Sequence, residues 1–368
     1  MGLRFGKEVQ FRTPANANVG IIRDDTYRFA FMDDNTDLYK NGVIFASGKS
    51  RYDTDTYTLN DGDIISSNNA ISMTDESAGL QGLFYNWAGR RFGFRTARYN
   101  IDTYVRAVGK TASVKVYRDG TLISTTTVTS DSVVALNTRT GGTHIIESDQ
   151  DIVAYSGDLP SSDCKPLYPA NKKIYGTGSS TGYIIYHEDN TTVTVYHADG
   201  TTNSFTGNKG EYDTWGDSSQ FSGHGSVVVA DKPVSGHSYA DADGGEMTPF
   251  VGKESFGQRF IIPEDENEFV QFVSDKPATL NFYTGGVLVS TVDLAGNSHG
   301  GGIYDYYANT GSLMVQNTYI ESSDPVCAIV EGESDDEQVL MGSWLNEEKS
   351  TLKQHAERTA FYNISFGP

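Results

Sequence analysis

Short runs of alternating apolar and polar residues recur along the chain, each ending in a pair of turn residues. Period-two alternation is the mark of a half-buried strand. Val114-Lys115-Val116-Tyr117 followed by Asp119-Gly120 is one such run. It returns as Val193-Thr194-Val195-Tyr196 before Asp199-Gly200, and as Leu280-Asn281-Phe282-Tyr283 before Gly285-Gly286. A weaker copy is Leu38-Tyr39-Lys40 before Asn41-Gly42. Asn-Gly, Asp-Gly and Gly-Gly supply the positive φ that a two-residue hairpin demands, so each run predicts a tight β-hairpin.

Two further anchors keep step with the hairpin. Ahead of it stands a strand and a polar turn: Tyr27 to Phe31 then Asp33-Asp34-Asn35-Thr36, and Tyr183 to Tyr186 then Glu188-Asp189-Asn190-Thr191. Tyr104 to Val108 with Gly109-Lys110, and Phe269 to Val273 with Ser274-Asp275-Lys276-Pro277, fill the same place. Behind it, Ile145 to Ala154 matches Val228 to Val234 and Ile320 to Ala328, with Ile64 to Ile71 as the first copy. This last anchor predicts strand, polar turn, strand, with proline suiting the turn.

Three anchors in one order, four times, predict an all-β chain: a tandem array of four antiparallel units of about 80 residues. Each unit is read as a small β-sandwich, with blades of a propeller-like ring as the alternative. The units are assigned to 1–73, 74–157, 158–239 and 240–332, the last three with their connectors; 333–368 is a C-terminal connector and arm. The connectors carry large apolar residues, and packing between adjacent units is what a repeat array asks of them. Phe84, Trp87, Tyr168, Phe250 and Trp344 are the candidate interface residues there, joined by Phe361, Tyr362 and Phe366 at the apolar end of the chain. Asn346 to Arg358 is charged and suits a short helix.

Charge narrows the function. With 28 basic and 48 acidic residues the net charge is −20, which argues against nucleic-acid binding because a phosphate backbone needs a basic face. No run approaches the ~20 apolar residues of a membrane span. The first ten residues hold no apolar core, so no secretory signal is expected. Of the two cysteines, Cys327 reads as a buried small hydrophobe and Cys164 as a loop residue; both are expected as free thiols.

Candidate chemistry is sparse. His187 and His197 flank one hairpin beside Glu188 and Asp189, a conceivable metal pair, although exposed turn histidines are the commoner reading. Asp33-Asp34-Asn35-Thr36-Asp37 alternates oxygens as calcium loops do, but Leu38 and Ile44 stand where such a loop needs Gly and Glu. Asp241-Ala242-Asp243 and Ser334 to Glu337 read as solvated loops. Gly176-Thr177-Gly178 opens like a dinucleotide loop but leads into a strand. No catalytic, metal or cofactor-binding residue is assigned, and the expectation is a non-enzyme without cofactor.

The hairpin turn Glu188-Asp189-Asn190-Thr191-Thr192-Val193 and the pair Ser274-Asp275-Lys276-Pro277 resemble the repeat of the IgGFc-binding-protein N-terminal domain, which implies adhesion rather than catalysis. In its unprocessed start, acidity, tandem β units and low Lys and Cys content, the chain also resembles virion structural proteins of marine tailed phages. That resemblance implies a tail or baseplate component assembled in the host cytoplasm. Its partners would be other virion proteins and copies of itself, without nucleic acid or membrane insertion. The alternatives are a receptor- or glycan-binding module, with a host-surface glycan as ligand, and a polysaccharide-degrading tail enzyme built on paired carboxylates.

Overall fold

The structure is a computed structural model. It describes residues 18–20, 25–60, 62–75, 83–84, 87–96, 102–157, 165–176, 181–197, 201–216, 226–239, 247–262, 269–274, 276–294, 302–306, 316–331 and 337–339. The candidate helix at 346–358 and Cys164 lie outside these residues.

Nearly everything described is strand. Each connector strand is counted with the sheet it pairs to, one unit earlier than the sequence bounds place it. Unit 1 then comprises β1 (Asn18–Gly20), β2 (Asp25–Phe31), β3 (Thr36–Lys40), β4 (Val43–Lys49), β5 (Thr54–Leu59), β6 (Ile64–Ser67), β7 (Ile71–Asp75) and β8 (Leu83–Phe84). Unit 2 follows with β9 (Gly89–Thr96), β10 (Asp102–Ala107), β11 (Ala112–Arg118), β12 (Thr121–Val128), β13 (Val134–Leu136), β14 (Gly142–Gly157) and β15 (Lys165–Leu167). Unit 3 runs through β16 (Asn171–Tyr175), β17 (Gly182–Tyr186), β18 (Thr191–Tyr196), β19 (Thr202–Gly207), β20 (Tyr212–Trp215), β21 (Val227–Tyr239) and β22 (Met247–Pro249). Unit 4 contains β23 (Gly257–Ile261), β24 (Phe269–Ser274), β25 (Ala278–Thr284), β26 (Val287–Leu294), β27 (Gly302–Tyr306), β28 (Tyr319–Glu331) and β29 (Glu337–Val339).

Units 2, 3 and 4 share one topology. The order in unit 2 is β12-β11-β14-β10-β13, with β9 and β15 on the other flank of β14. Unit 3 repeats it around β21 and unit 4 around β28. The connector strands β15, β22 and β29 each pair back onto the sheet of the unit they leave.

The third sequence anchor needs a correction. It predicts two strands around a turn, but in units 2 to 4 it is one long strand that bends without reversing. The first half of β14 pairs with β9 and β11, the second half with β10 and β15. At the bend, an advance of two positions on the flanking strand matches an advance of five on the long one. Arg91 and Gly89 face Glu147 and Ile152; Lys173 and Asn171 face Val229 and Val234; Arg259 and Gly257 face Glu321 and Val326. Such a bulge lets one strand serve two half-sheets that curl over each other, and it gives Pro233 and Pro325 a place where no ladder donor is needed. In unit 1 the strand is broken at the same place, into β6 and β7, so its two half-sheets are separate.

A bulge strands backbone groups that must find other partners. All four units solve this alike. The side chain at the second bulge position accepts the orphaned N–H of the hairpin strand: Asn68 from Asp37 (2.7 Å), Asp149 from Ser113 (2.7 Å), Asp231 from Thr192 (2.9 Å) and Ser323 from Thr279 (2.9 Å). In units 1 and 4 the preceding serine also donates across the bulge, from Ser67 to the Asn69 carbonyl and from Ser322 to the Asp324 carbonyl.

Three of the hairpins are tight, as expected; the fourth predicted turn, Asp199-Gly200, lies outside the described residues. Asn41-Gly42, Asp119-Gly120 and Gly285-Gly286 all have positive φ at both positions, the signature of a type I′ turn. On β11, Ala112, Val114 and Val116 point inward between the half-sheets, where they meet Val105, Ile146, Ile152, Phe92 and Phe94. Val193 and Val195, and Leu280 and Phe282, do the same in units 3 and 4.

Asp231→Ala should lower stability by about 1 kcal/mol, the worth of one solvent-facing charged hydrogen bond, while Asp231→Asn keeps the acceptor and costs less. Urea unfolding midpoints of the two variants check this; equal losses would contradict the role of the oxygen.

Candidate functional site at the unit junctions

The four units meet around a shared apolar cluster. Unit 1 contributes Tyr27, Phe29 and Phe31; Trp87 and Tyr168 come from the two ends of unit 2; Tyr175 and Val227 belong to unit 3; Phe256, Val273 and Cys327 come from unit 4 and its approach. Cys327 is a buried small hydrophobe there, as its sequence context suggests. Trp87 and Tyr168 lie ring to ring at 4.9 Å, and Tyr175 and Phe256 at 4.7 Å. Phe250 is also buried, but against Trp215 of its own unit (5.6 Å). Phe84 is on β8, paired with Val19. Trp344, Phe361, Tyr362 and Phe366 lie outside the described residues.

Around this cluster the contacts run from each unit to the next and return from unit 4 to unit 1. Two junctions, 2 to 3 and 4 to 1, are built from the same parts. The short strands β9 and β23 share the sequence Gly-x-Arg-Phe, as Gly89-Arg90-Arg91-Phe92 and Gly257-Gln258-Arg259-Phe260. Each arginine reaches the first acid of the next unit's polar turn. Arg91 meets Glu188 at 2.6 Å; Arg259 grips Asp33 with both nitrogens, at 2.8 and 3.3 Å. Burial opposes the charge on Arg259, yet the Asp33 hydrogen bond and charge raise its pKa above the usual value.

The acceptor turns are duplicates as well. Asn35 and Asn190 take the left-handed conformation, and Thr36 and Thr191 each donate to the carbonyl three residues back at 2.7 Å. Asp34 and Asp189 accept the backbone N–H of Arg51 and Lys209. The acids of the supposed calcium loop are thus spread among separate partners: Asp33 on Arg259 and Arg51, Asp34 on Arg51 N–H, Asp37 on Gly48 N–H. Among the described residues, no three His, Cys, Asp or Glu converge as a metal site requires.

No family model and no curated protein matches this chain.

The junctions differ in what fills them. At 4 to 1 the filling is aromatic: Tyr319 packs on Tyr52 (5.5 Å) and Tyr283 (6.1 Å), with the Arg51 guanidinium 5.7 Å from its ring. At 2 to 3 it is histidine. The sequence reading of His187 as an exposed turn residue is overturned: it is wholly buried, with Nε2 2.9 Å from Ser235 Oγ. His197 turns away to Asn203 and Ser226, so the two histidines share no site. His237, which no spacing singled out, is also buried; its Nε2 accepts the backbone N–H of Arg95 at 3.0 Å, and its ring stacks on Tyr183 at 5.0 Å. Burial, reinforced by Arg91 and Lys209, pushes the His187 pKa down to about 3. Burial also takes His237 to about 3, despite a hydrogen bond with the Ser238 backbone. His144, stacked on Phe94 inside unit 2, is lowered by burial to about 4. All three are therefore neutral at pH 7.

Two more contacts close the junction. Lys209 bonds Glu147 at 2.8 Å and sits 3.7 Å over the Tyr117 ring, while the Arg95 guanidinium lies 3.9 Å from that of Tyr212. Strand β9 comes so near unit 3 that a Cβ on Gly93 would stand 3.0 Å from His187 Nε2 and 3.1 Å from Ile185. The only trace of this in the sequence is the Gly-x-Arg-Phe echo, which is too short to show its partners.

Two outcomes are expected. Gly93→Ala should destabilise by about 1–3 kcal/mol, the usual cost of overpacking, read as a lowered Tm. A double-mutant cycle on Arg259 and Asp33 should give a coupling of about 1–2 kcal/mol, and the more exposed Arg91–Glu188 pair less than about 1 kcal/mol.

Proposed function

We propose that the chain is a non-enzymatic structural component of a phage virion, of its tail or baseplate, assembled in the host cytoplasm. It acts through contacts with other virion proteins and copies of itself. The observation that carries this reading is at the rim. Strands β4, β12 and β26 end their sheets, and just past each hairpin turn they expose large apolar residues. These are Val43 and Ile44, Leu122 and Ile123, and Val287, Leu288 and Val289, exposed by 38 to 69%. No charge or proline interrupts them. Exposed edge strands are normally blunted by lysine, proline or a bulge, because their free backbone groups invite another strand. Each of these three has a bulge beside the turn, at Phe45, Ile123 and Val289, but the apolar side chains around it stay uncovered. Unit 3 has Thr201, Thr202 and Asn203 in the same place, so the apolar rim belongs to three units rather than to the repeat as such.

Packing at the junctions supports the reading. Side chains that could have formed an open cleft at the junctions pack against each other, and the charged groups there pair across units. Such an arrangement holds surfaces in fixed relation, which is what a scaffold does.

Val287→Lys with Leu288→Lys should leave stability within about 0.5 kcal/mol, as surface changes do, yet exclude the protein from particles. Electron microscopy and mass spectrometry of intact particles provide the readout. The wild-type chain is expected at symmetric positions with its hairpin edges against neighbours; its absence from particles would overturn the reading.

A further inference from the structure

The junction between units 2 and 3 buries two histidines in a geometry that accepts them only without charge. His237 Nε2 takes a hydrogen bond from the Arg95 backbone N–H, so the ring is neutral with its proton on Nδ1. A second proton on Nε2 would set two donors against each other. His187 uses Nε2 with Ser235, and its buried Nδ1 has no acceptor among the described residues. A proton added there would be a buried donor with nothing to bond, at a cost comparable to a lost hydrogen bond.

The surroundings offer little to neutralise a new charge. His187 is faced by Gly93 and the Arg91 guanidinium from β9, by Lys209 from the β19–β20 turn, and by Ser235 from β21. The neighbouring acid, Glu188, is engaged by Arg91, and Glu147 by Lys209. His237 is faced by Arg95 from β9, by the Tyr183 ring from β17, and by its own β21 backbone at Ser238. Tyr212, from β20, covers Arg95. Among the described residues, Arg91 and Lys209 act on the His187 ring and Arg95 on that of His237, all of them cations.

We propose that this junction is an acid-labile seam: on acidification, protonation of His187 and His237 releases β9 from unit 3 and opens the ring between units 2 and 3. The seam stands on the contacts within the chain and does not depend on the virion reading. Its sign follows from linkage. A histidine that titrates near 6.5 when exposed, but is held lower when buried, binds more protons in the open state. Closure is therefore fully stabilised above pH ~6.5 and is lost as pH falls toward 3. Each histidine favours opening about tenfold per pH unit in that window, and two together about a hundredfold.

The molecule contains its own control. At the 4 to 1 junction the register puts Met32 where unit 3 has His187, and Thr74 where it has His237. The Arg259–Asp33 pair, the acceptor turn and the flanking strand are otherwise alike. An acid effect at one junction and not the other isolates the histidines from the carboxylates that both share.

The test is hydrogen–deuterium exchange by mass spectrometry on the full chain, between pH 7.5 and 5, with rates corrected for intrinsic exchange. The expected result is a rise of tenfold or more in peptides of β9, β17 and β21, with β2, β7 and β23 unchanged. His187→Met with His237→Gln should abolish the rise while keeping the junction closed. Equal rises at both junctions, no rise above pH 5, or a rise that persists in the double variant would each overturn the proposal. Should that variant fail to fold, Glu147→Gln, which removes the carboxylate–lysine pair that distinguishes this junction, must leave the rise and the contrast between the two junctions in place; loss of either overturns the proposal.

Discussion

The bulge in the long central strand is the constraint on which the rest depends. A strand that must serve two half-sheets has to change direction, and where it does so the ladder loses bonds. The loss is made good by one side-chain oxygen per unit, on Asn68, Asp149, Asp231 or Ser323. With that donor satisfied, the hairpin strand stays in register and the half-sheets curl over an apolar interior. Without it, the hairpin-strand amide at the hinge of each unit would be held by solvent alone and the register there left slack. The bond geometry is the same in all four units although three different residue types supply it, because the requirement is for an acceptor at that distance and not for a particular side chain.

From the bend follows the shape of the junctions. The short first strand of a unit spans both sides of the bulge, so its arginine, two residues past the glycine, is carried beyond its own sheet toward the next. In two of the four junctions that reach ends on an acid held by an Asn–Thr turn. The pairs are not equal. Arg259 is largely buried and bidentate, whereas Arg91 and Glu188 are about 42% exposed. The more buried pair sits where the last unit returns to the first, which is the contact that chain connectivity cannot supply. The central aromatic cluster then adds burial from every unit, so closure rests on packing as well as on charge.

The hairpin tyrosines illustrate how one motif is used twice. Inward positions of the same strand fill the unit's own core, as alternation requires. Tyr117 and Tyr283 point the other way, toward the next unit: Tyr117 lies under Lys209 of unit 3, and Tyr283 packs with Tyr319 of its own unit in the cluster that takes in Tyr52 of unit 1. The repeat thus builds both its core and its joints from a single alternating strand. What distinguishes one joint from another is the filling: histidine, serine and arginine at one, tyrosine and methionine at the other.

The sequence by itself determined the strand content, the four-fold repeat and the hairpin turns. These are local properties: period two, and residues that tolerate positive φ at Asn41-Gly42, Asp119-Gly120 and Gly285-Gly286. It also marked Trp87 and Tyr168 as large apolar residues set among polar ones in connectors. It misled at Ser148 to Ile152 and its counterparts, where polar residues and proline look like a reversal. A bulge uses the same residues as a turn, and only the pairing of both halves with common neighbours tells them apart. His187 was misread for a related reason, since a polar residue beside Glu188-Asp189-Asn190 belongs by local rule to a solvated turn. Tertiary structure alone decided that β9 would lie across it. Burial of a histidine depends on what another unit, 94 residues earlier at Gly93, brings within 3.0 Å, and no local pattern carries that information.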